Sequence, residues 1–181
     1  ADGAEGITLT LVPKDDSYFH ENFVVVFEIT AATGSVRAGT SNRTTITITE
    51  DESPSFASFP VTDASISEAA AVPLVVPVSL SIPASEVGTI TVSFTSSNAV
   101  YGTHFTTNPA ASGANIVLNV AKDAVASQFT ILPIDNTVDN EDRLIQFTIS
   151  SGTGVVRPGG NISYMLTITD NEPTLRSVLV S

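Results

Sequence analysis

The chain contains an internal repeat that limits how it can fold. A shift of 120 residues aligns 8–52 with 128–172 without a gap, and 15 of the 45 aligned positions are identical. Phe27 falls on Phe147, for example, and apolar residues keep their positions where identity is lost. Chance does not produce a gapless match of this length, so the two segments must fold alike. The sequence therefore predicts tandem copies of one domain.

The two copies are unequal in length. Residues 53–172 are long enough for a complete unit of about seven strands. Residues 1–52 match only the last three strands of such a unit, so they are predicted to be its C-terminal half. Residues 173–181 are predicted to be a linker or the first strand of a following unit. On this interpretation, the sequence is a window on a longer array.

A period-two alternation of apolar and polar residues predicts β-strands. Ile90, Val92 and Phe94, for example, alternate with threonine and serine, as in a half-buried strand. No window carries a long helical stripe. We therefore predict an all-β fold, an antiparallel immunoglobulin-like β-sandwich of about seven strands, in tandem. The predicted strands are 7–13, 22–30, 43–49, 55–61, 73–82, 87–95, 114–120, 126–134, 143–150 and 162–169.

Charge and cysteine content exclude several functions. Nineteen acidic residues against seven Lys and Arg give a net charge of -12, which repels nucleic acid. The absence of cysteine excludes disulfides, thiol nucleophiles and zinc–thiolate sites. The longest apolar stretch, 69–78, is too short to span a bilayer. We expect neither nucleic-acid binding nor membrane insertion.

No catalytic motif is present. His20 and His104 lie in predicted loops, and the Gly-x-Ser-x-Gly turn of serine hydrolases is absent. The spacing of the carboxylates leaves glycoside hydrolysis open. However, the chain has no tryptophan and only three tyrosines on which sugars could stack. The sequence therefore predicts no catalytic residue, no cofactor-binding residue and no enzymatic activity.

Acidic side chains are predicted to converge at one end of the complete unit. If each strand reverses the one before it, Glu68, the loop 135–142 and the segment 170–172 share one pole. Calcium takes six to eight oxygen ligands from such loops. Aspartates in turns can also simply accept hydrogen bonds from nearby backbone N–H groups. The residue types alone leave both interpretations open.

Four short motifs resemble one family. They are Ile134-Asp135-Asn136-Thr137-Val138 before an acidic turn, Leu166-Thr167-Ile168-Thr169-Asp170-Asn171-Glu172, Ser67-Glu68-Ala69, and Gly102-Thr103-His104-Phe105. Together and in this order they resemble the Calx-β domain. The resemblance covers the complete unit, and its second half recurs in 1–52.

The resemblance implies a seven-stranded sandwich that either binds calcium at one pole or serves as a spacer or adhesion module. His104 stands where the family usually has aspartate, and Asn136 and Asn171 replace carboxylates, which should weaken calcium affinity. Ca2+ is the cofactor that the resemblance implies. Carried over to this sequence, the metal ligands would be Glu68, Asp135, Glu141, Asp170 and Glu172.

These observations predict a non-catalytic, structural or adhesive repeat of a large secreted or cell-surface protein. Its expected partners are the neighbouring repeats and a surface protein or glycan. The alternative is a module that binds carbohydrate or another ligand for a secreted enzyme. A strip of exposed aromatic residues on a sheet face would favour that alternative, whereas buried aromatics and an acidic pole favour the first.

The half-unit 1–52 lacks the strands that would cover its apolar face. We expect either residues 174–181 or the half-unit of a second molecule to complete it. The first option requires the C-terminus to travel the length of the complete unit, so the sequence favours a homodimer through 1–52. The apolar residues expected on that face are Leu9, Leu11, Val25, Phe27, Ile29, Ile46 and Ile48.

Overall fold

The structure is a computed structural model that describes residues 7–173. It divides into two compact units, Ala1–Glu52 and Ser53–Ser181. The division falls where the repeat predicts a boundary; that the first unit is half of a domain stays a prediction. Residues 174–181, predicted to be a linker or a first strand, lie outside the described residues. No helix in 7–173 is long and apolar enough to cross a membrane.

The second unit is a β-sandwich, which confirms the predicted fold class. One sheet has the strand order β4-β12-β10-β6-β8 and the other β11-β3-β5-β9-β7. The strands are β3 (Ser55–Ser58), β4 (Asp63–Ser67), β5 (Leu74–Leu80), β6 (Gly88–Thr95), β7 (Phe105–Asn108), β8 (Asn115–Val120), β9 (Ala126–Pro133), β10 (Arg143–Thr153), β11 (Val156–Pro158) and β12 (Ser163–Thr169).

The core of the sandwich lies between the two sheets and follows the period-two pattern of the strands. Alternate residues of β10, such as Ile145 and Phe147, are fully buried, while Leu144, on the other face of the strand, is half exposed. Phe147 occupies the centre of the core, and its ring centroid lies 5.3 Å from that of Phe129 and 6.3 Å from that of Tyr164. Rings at these distances pack favourably beyond the area that they bury.

The predicted strand 55–61 ends early, as β3, and the chain then crosses to the other sheet, where β4 begins at Asp63. Pro60, which has no backbone N–H to donate, lies in the bend between β3 and β4. β3 pairs with β5 and, in parallel, with β11, whereas β4 pairs in parallel with β12. The otherwise antiparallel sandwich thus contains two parallel pairings that simple strand reversal did not predict.

Three short strands, β4, β7 and β11, were missed, so the described second unit has ten strands rather than about seven, and β10 is longer than predicted. β7 and β11 have only four and three residues, too few to show an alternation. β10 continues to Thr153, because its pairing with β6 shifts register between Ile149 and Ser151 and then resumes. Such a bulge bends a strand without ending it.

The first unit contains two strands, β1 (Phe23–Glu28) and β2 (Arg43–Ile48), which pair antiparallel. Their register repeats that of β10 and β12 at an offset of 120 residues for all six pairs. Phe23 lies opposite Ile48, for instance, as Arg143 lies opposite Ile168. The repeat seen in the sequence is therefore also a repeat of backbone pairing.

The predicted strand 7–13 is wrong, because these residues form no strand. Their counterpart in the second unit is β9, which is held by β5 on one side and β7 on the other. The described part of the first unit has no equivalent of those neighbours, so the segment lacks a ladder to join. Leu9 is accordingly 70% exposed, whereas its counterpart Phe129 is fully buried.

Candidate functional site

Three carboxylates meet at one end of the second unit. Glu68 follows β4 directly, and Asp170 and Glu172 follow β12. The parallel pairing of β4 with β12 ends with Ser67 opposite Thr169, which brings the two strand ends side by side. One carboxylate oxygen from each of Glu68, Asp170 and Glu172 lies within 4.8 Å of the others. We call these three residues the carboxylate cluster.

Glu68 is the most buried member of the carboxylate cluster, with 3% of its surface exposed. Its backbone N–H donates to the carbonyl oxygen of Thr169 at 2.9 Å, which fixes it beside β12. Its Oε1 accepts two hydrogen bonds from Asn136, one from Nδ2 at 2.6 Å and one from the backbone N–H at 3.3 Å. Asn136 thus joins the loop between β9 and β10 to the cluster.

Asp170 is positioned by that same loop. Its Oδ2 accepts a hydrogen bond from the backbone N–H of Asn140 at 3.2 Å, and its own N–H donates to Asp142 Oδ1 at 3.0 Å. Its Oδ1 is buried without a hydrogen-bond partner, and so is Oε2 of Glu172. When both carboxyls are ionised, these two oxygens are removed from water and unsatisfied, which is costly for charged groups.

The pKa of Glu172 reflects this crowding. Burial raises the pKa of its carboxyl above the ordinary value, and the charge of Asp170 and a hydrogen bond with it raise the pKa further, followed by the charge of Glu68. A positive ion beside the three carboxylates would oppose this shift, because opposite charge favours the ionised form.

Asp135 and Glu141, the other two predicted ligands, do not belong to the carboxylate cluster. Both are exposed in the loop between β9 and β10. In the first unit, however, the counterpart of Asp135 does join a cluster, since Asp15 lies within 4.8 Å of Asp51 and Glu52. The positioning roles of Asn136, Asn140 and Asp142 were not predicted, although the density of Asx residues in 135–142 was a usable signal.

His104 lies near the carboxylate cluster but is already engaged. Its Nδ1 accepts a hydrogen bond from the backbone N–H of Val100 at 2.8 Å. Burial lowers the pKa of the imidazole, the positive charge of Arg143 lowers it further, and Glu68 acts in the opposite direction. Burial and Arg143 thus favour the neutral imidazole, and His104 supplies no negative charge to the cluster.

The donor set of the carboxylate cluster fits calcium. All three groups offer oxygen, which hard cations prefer, and they come from strand ends and loops. The two unsatisfied oxygens of Asp170 and Glu172 are the kind of groups that a bound cation would satisfy. The site has the chemistry of a divalent-cation site rather than of a nucleophile with its base.

No protein-family model and no curated protein sequence matches the chain. Solved structures do match. The apo form of the Calx CBD1 domain is 18% identical, with a TM-score of 0.54 over 66% of this chain and 99% of that domain. The second unit has a Calx-β-like fold.

Two further structures agree with this Calx-β-like fold. The Calx CBD2 domain is 10% identical, with a TM-score of 0.51 over 62% of this chain and 85% of that one. The calcium binding domain CBD12 of CALX1.1 is 18% identical, with a TM-score of 0.52 over 63% of this chain and 45% of that one. At these identities, the likeness is one of fold.

Proposed function

We propose that the complete unit is a non-catalytic module that binds calcium at the carboxylate cluster. The observation that carries the proposal is the pair of buried oxygens, Asp170 Oδ1 and Glu172 Oε2, that have no hydrogen-bond partner beside Glu68. A calcium ion held by these three carboxylates would offset both the missing hydrogen bonds and the mutual repulsion of the charges. CBD12 of CALX1.1, one of the proteins of similar fold, is a calcium binding domain, which supports this choice of ion.

Asp135 and Glu141 remain proposed as further ligands. Both are exposed in the loop between β9 and β10, which already contacts the carboxylate cluster through Asn136 and Asn140. Calcium accepts six to eight oxygens in flexible geometry, so three carboxylates leave positions to fill. The grouping of Asp15 with Asp51 and Glu52 in the first unit supports the inclusion of Asp135.

We propose further that the chain is a structural or adhesive repeat of a larger extracellular or cell-surface protein. The support is the 120-residue repeat, the net charge of -12 and the absence of cysteine. Neighbouring repeats are its proposed partners, together with a surface protein or glycan. The histidines support a non-catalytic role, since His104 accepts a backbone hydrogen bond and His20 lies 3.5 Å from Asp16 in an exposed turn.

The aromatic residues favour this function over a carbohydrate-binding module. Phe59, Phe105, Phe129, Phe147 and Tyr164 all lie in the core. In the complete unit, the one large aromatic side chain found exposed among the described residues is that of Phe56, at 43%. An isolated ring does not form the extended stacking surface that a sugar chain requires.

Thermal unfolding with and without calcium tests the proposal. A ligand that binds only the folded state adds RT ln(1 + [L]/Kd), roughly 2.7 kcal/mol at a hundredfold excess over Kd. We expect calcium to raise the Tm of the complete unit, and Asp170→Asn to remove most of the rise. Asp123→Asn is the matched control, because Asp123 is exposed in the turn between β8 and β9, where its positive φ suits asparagine. An unchanged Tm in calcium, or a full rise in Asp170→Asn, would show that this site does not bind the ion.

A further inference from the structure

Among the described residues, one edge of β1 has no neighbouring strand, whereas the corresponding edge of its counterpart β10 is covered. In the second unit, β10 lies between β12 and β6. In the first unit, β1 is the counterpart of β10 and pairs with β2 alone among the described residues. The edge of β1 that corresponds to the β6 side of β10 therefore has no strand beside it in the described chain.

The backbone groups at this edge can be assigned from the pairing with β2. The N–H of Ile29 donates to the carbonyl oxygen of Asn42 at 2.7 Å. Because hydrogen-bonding direction alternates along an antiparallel strand, Val25 and Phe27 also point their backbone groups toward β2. Val24 and Val26 consequently present their N–H and C=O groups at the open edge. Such groups are a template for another strand.

Apart from Glu28, its last residue, β1 has no charged or polar side chain to protect that edge. Phe23–Phe27 is a run of five apolar residues, and Phe23, Val24 and Val26 are 54%, 62% and 41% exposed. The counterpart strand β10 has Arg143 and Gln146 at the positions of Phe23 and Val26. Charged and polar residues protect open edges from association, and the run Phe23–Phe27 contains none.

We propose that two copies of the chain associate through β1, with the two strands antiparallel about a two-fold axis at Val25. In this register Val25 lies opposite the partner's Val25, and Phe23 lies opposite the partner's Phe27. Val24 lies opposite the partner's Val26, so the backbone groups at the two open edges hydrogen-bond to each other. Each residue of the apolar run then faces another apolar residue, which stabilises a paired sheet.

The complete unit shows that this arrangement suits the strand. There, Phe147 lies opposite Phe94 of β6, with the ring centroids 5.8 Å apart. Phe27 is the counterpart of Phe147 in β1. In the proposed dimer the partner's Phe23 takes the place that Phe94 has beside Phe147. In both cases the two facing residues form a non-hydrogen-bonded pair, so the proposed register is consistent with the directions of the backbone hydrogen-bonding groups.

The charges at the two ends of the first unit favour a second copy of the chain, paired antiparallel, as the partner at the open edge of β1. The end of the half-unit that includes Asp15, Glu50, Asp51 and Glu52 is strongly acidic. The opposite end carries two arginines, Arg37 in the connection from β1 to β2 and Arg43 at the start of β2, against one acid, Glu28. Antiparallel pairing sets the acidic end of each copy beside the arginine end of the other, whereas parallel pairing would set the two acidic ends together.

A cysteine variant tests the register. The chain contains no cysteine, so Val25→Cys introduces the one thiol, and the axis places it opposite its copy. Facing residues of a non-hydrogen-bonded pair are close enough to form a disulfide. We expect mild oxidation to convert Val25→Cys to a covalent dimer. Val36→Cys, exposed in the connection between β1 and β2, is the control and should stay largely monomeric. Equal cross-linking of the two variants would overturn the proposal.

A proline variant tests the edge itself. Val26→Pro removes an N–H from the open edge of β1 without removing a hydrogen bond to β2. Val117→Pro is the matched control, since β8 is the last strand of its sheet and the bond from Phe94 N–H to Ala114 O directs the N–H of Val117 outward. By sedimentation, we expect a dimer for the wild type and for Val117→Pro, and loss of the dimer for Val26→Pro. A monomeric wild type would overturn the proposal. So would a Val26→Pro variant that dimerises as the wild type does, because either result would mean that β1 of a second copy does not occupy the edge.

Discussion

Single residues at the acidic end of the first unit already respond to one another. A hydrogen bond with the side chain of Glu50, then burial, then the charges of Asp51, Glu50 and Asp15 raise the pKa of Glu52 to about 7. The carboxyl of Glu52 is therefore partly protonated near neutral pH. Because the folded-state pKa lies above the ordinary value of 4.5, this group favours the folded state at low pH, and the contribution is lost as the pH rises through about 7.

We predict that the carboxyl carbon of Glu52 titrates with a midpoint near pH 7 when it is followed by NMR. Glu50→Gln should move the midpoint toward the ordinary range, because it removes a neighbouring charge and changes the strongest hydrogen bond. Glu28→Gln, at the other end of the half-unit, should leave the midpoint where it is. A wild-type midpoint near 4.5 would show that the acidic groups do not interact in this way.

The contribution of the sequence to the site can be judged residue by residue. Glu68, Asp170 and Glu172 were predictable because each closely follows a strand, so strand order alone places it at the pole. The positions of Asp135 and Glu141 were not predictable. They depend on side-chain hydrogen bonds inside their loop, such as those of Asn136 to Glu68 and to Val138.

At the scale of elements, alternation predicted the long strands and missed the short ones. β6, β8 and β9 each have at least six residues, enough for a period of two to show. β7 and β11 are positioned by their neighbours rather than by a pattern of their own. The segment 7–13 has the alternation of a strand but no neighbouring strand to pair with among the described residues, so alternation alone did not make it a strand.

The turn between β10 and β11 offers a prediction with a control inside the same chain. Gly154 has a φ of 61°, and a Cβ at this position would meet the backbone oxygen of Val87. Its repeat counterpart Gly34 has a φ of 72° but nothing within 4 Å of the same point. Both positions favour glycine, yet only Gly154 also needs the space.

We therefore expect Gly154→Ala to destabilise the complete unit in urea unfolding. The positive φ alone costs about 1–2 kcal/mol, and the displacement of Val87 adds to that cost. Gly34→Ala carries a similar backbone cost in the half-unit and should leave the unfolding of the complete unit unchanged. Equal stability of wild type and Gly154→Ala would contradict the close packing of this turn against β6.

At the scale of the whole molecule, the two units share the same strand pairing but differ in how far their strands are buried. Their strand pairing is the same, and Arg37 and Arg157 bond equivalent carbonyl oxygens in their turns. Burial differs, since Ile29 is 55% exposed and Ile149 only 1%. The repeat thus specifies the register locally, whereas the core depends on strands that 7–52 do not contain.

The central claim is that the carboxylate cluster of Glu68, Asp170 and Glu172 holds calcium, and the titration of Glu172 tests it most directly. Without calcium, its carboxyl carbon should titrate above the ordinary range of glutamate, because burial and its acidic neighbours raise its pKa. With saturating calcium, the midpoint should fall below the ordinary range, since the ion favours the ionised carboxylate. If the midpoint of Glu172 is the same with and without calcium, the cluster does not bind the ion.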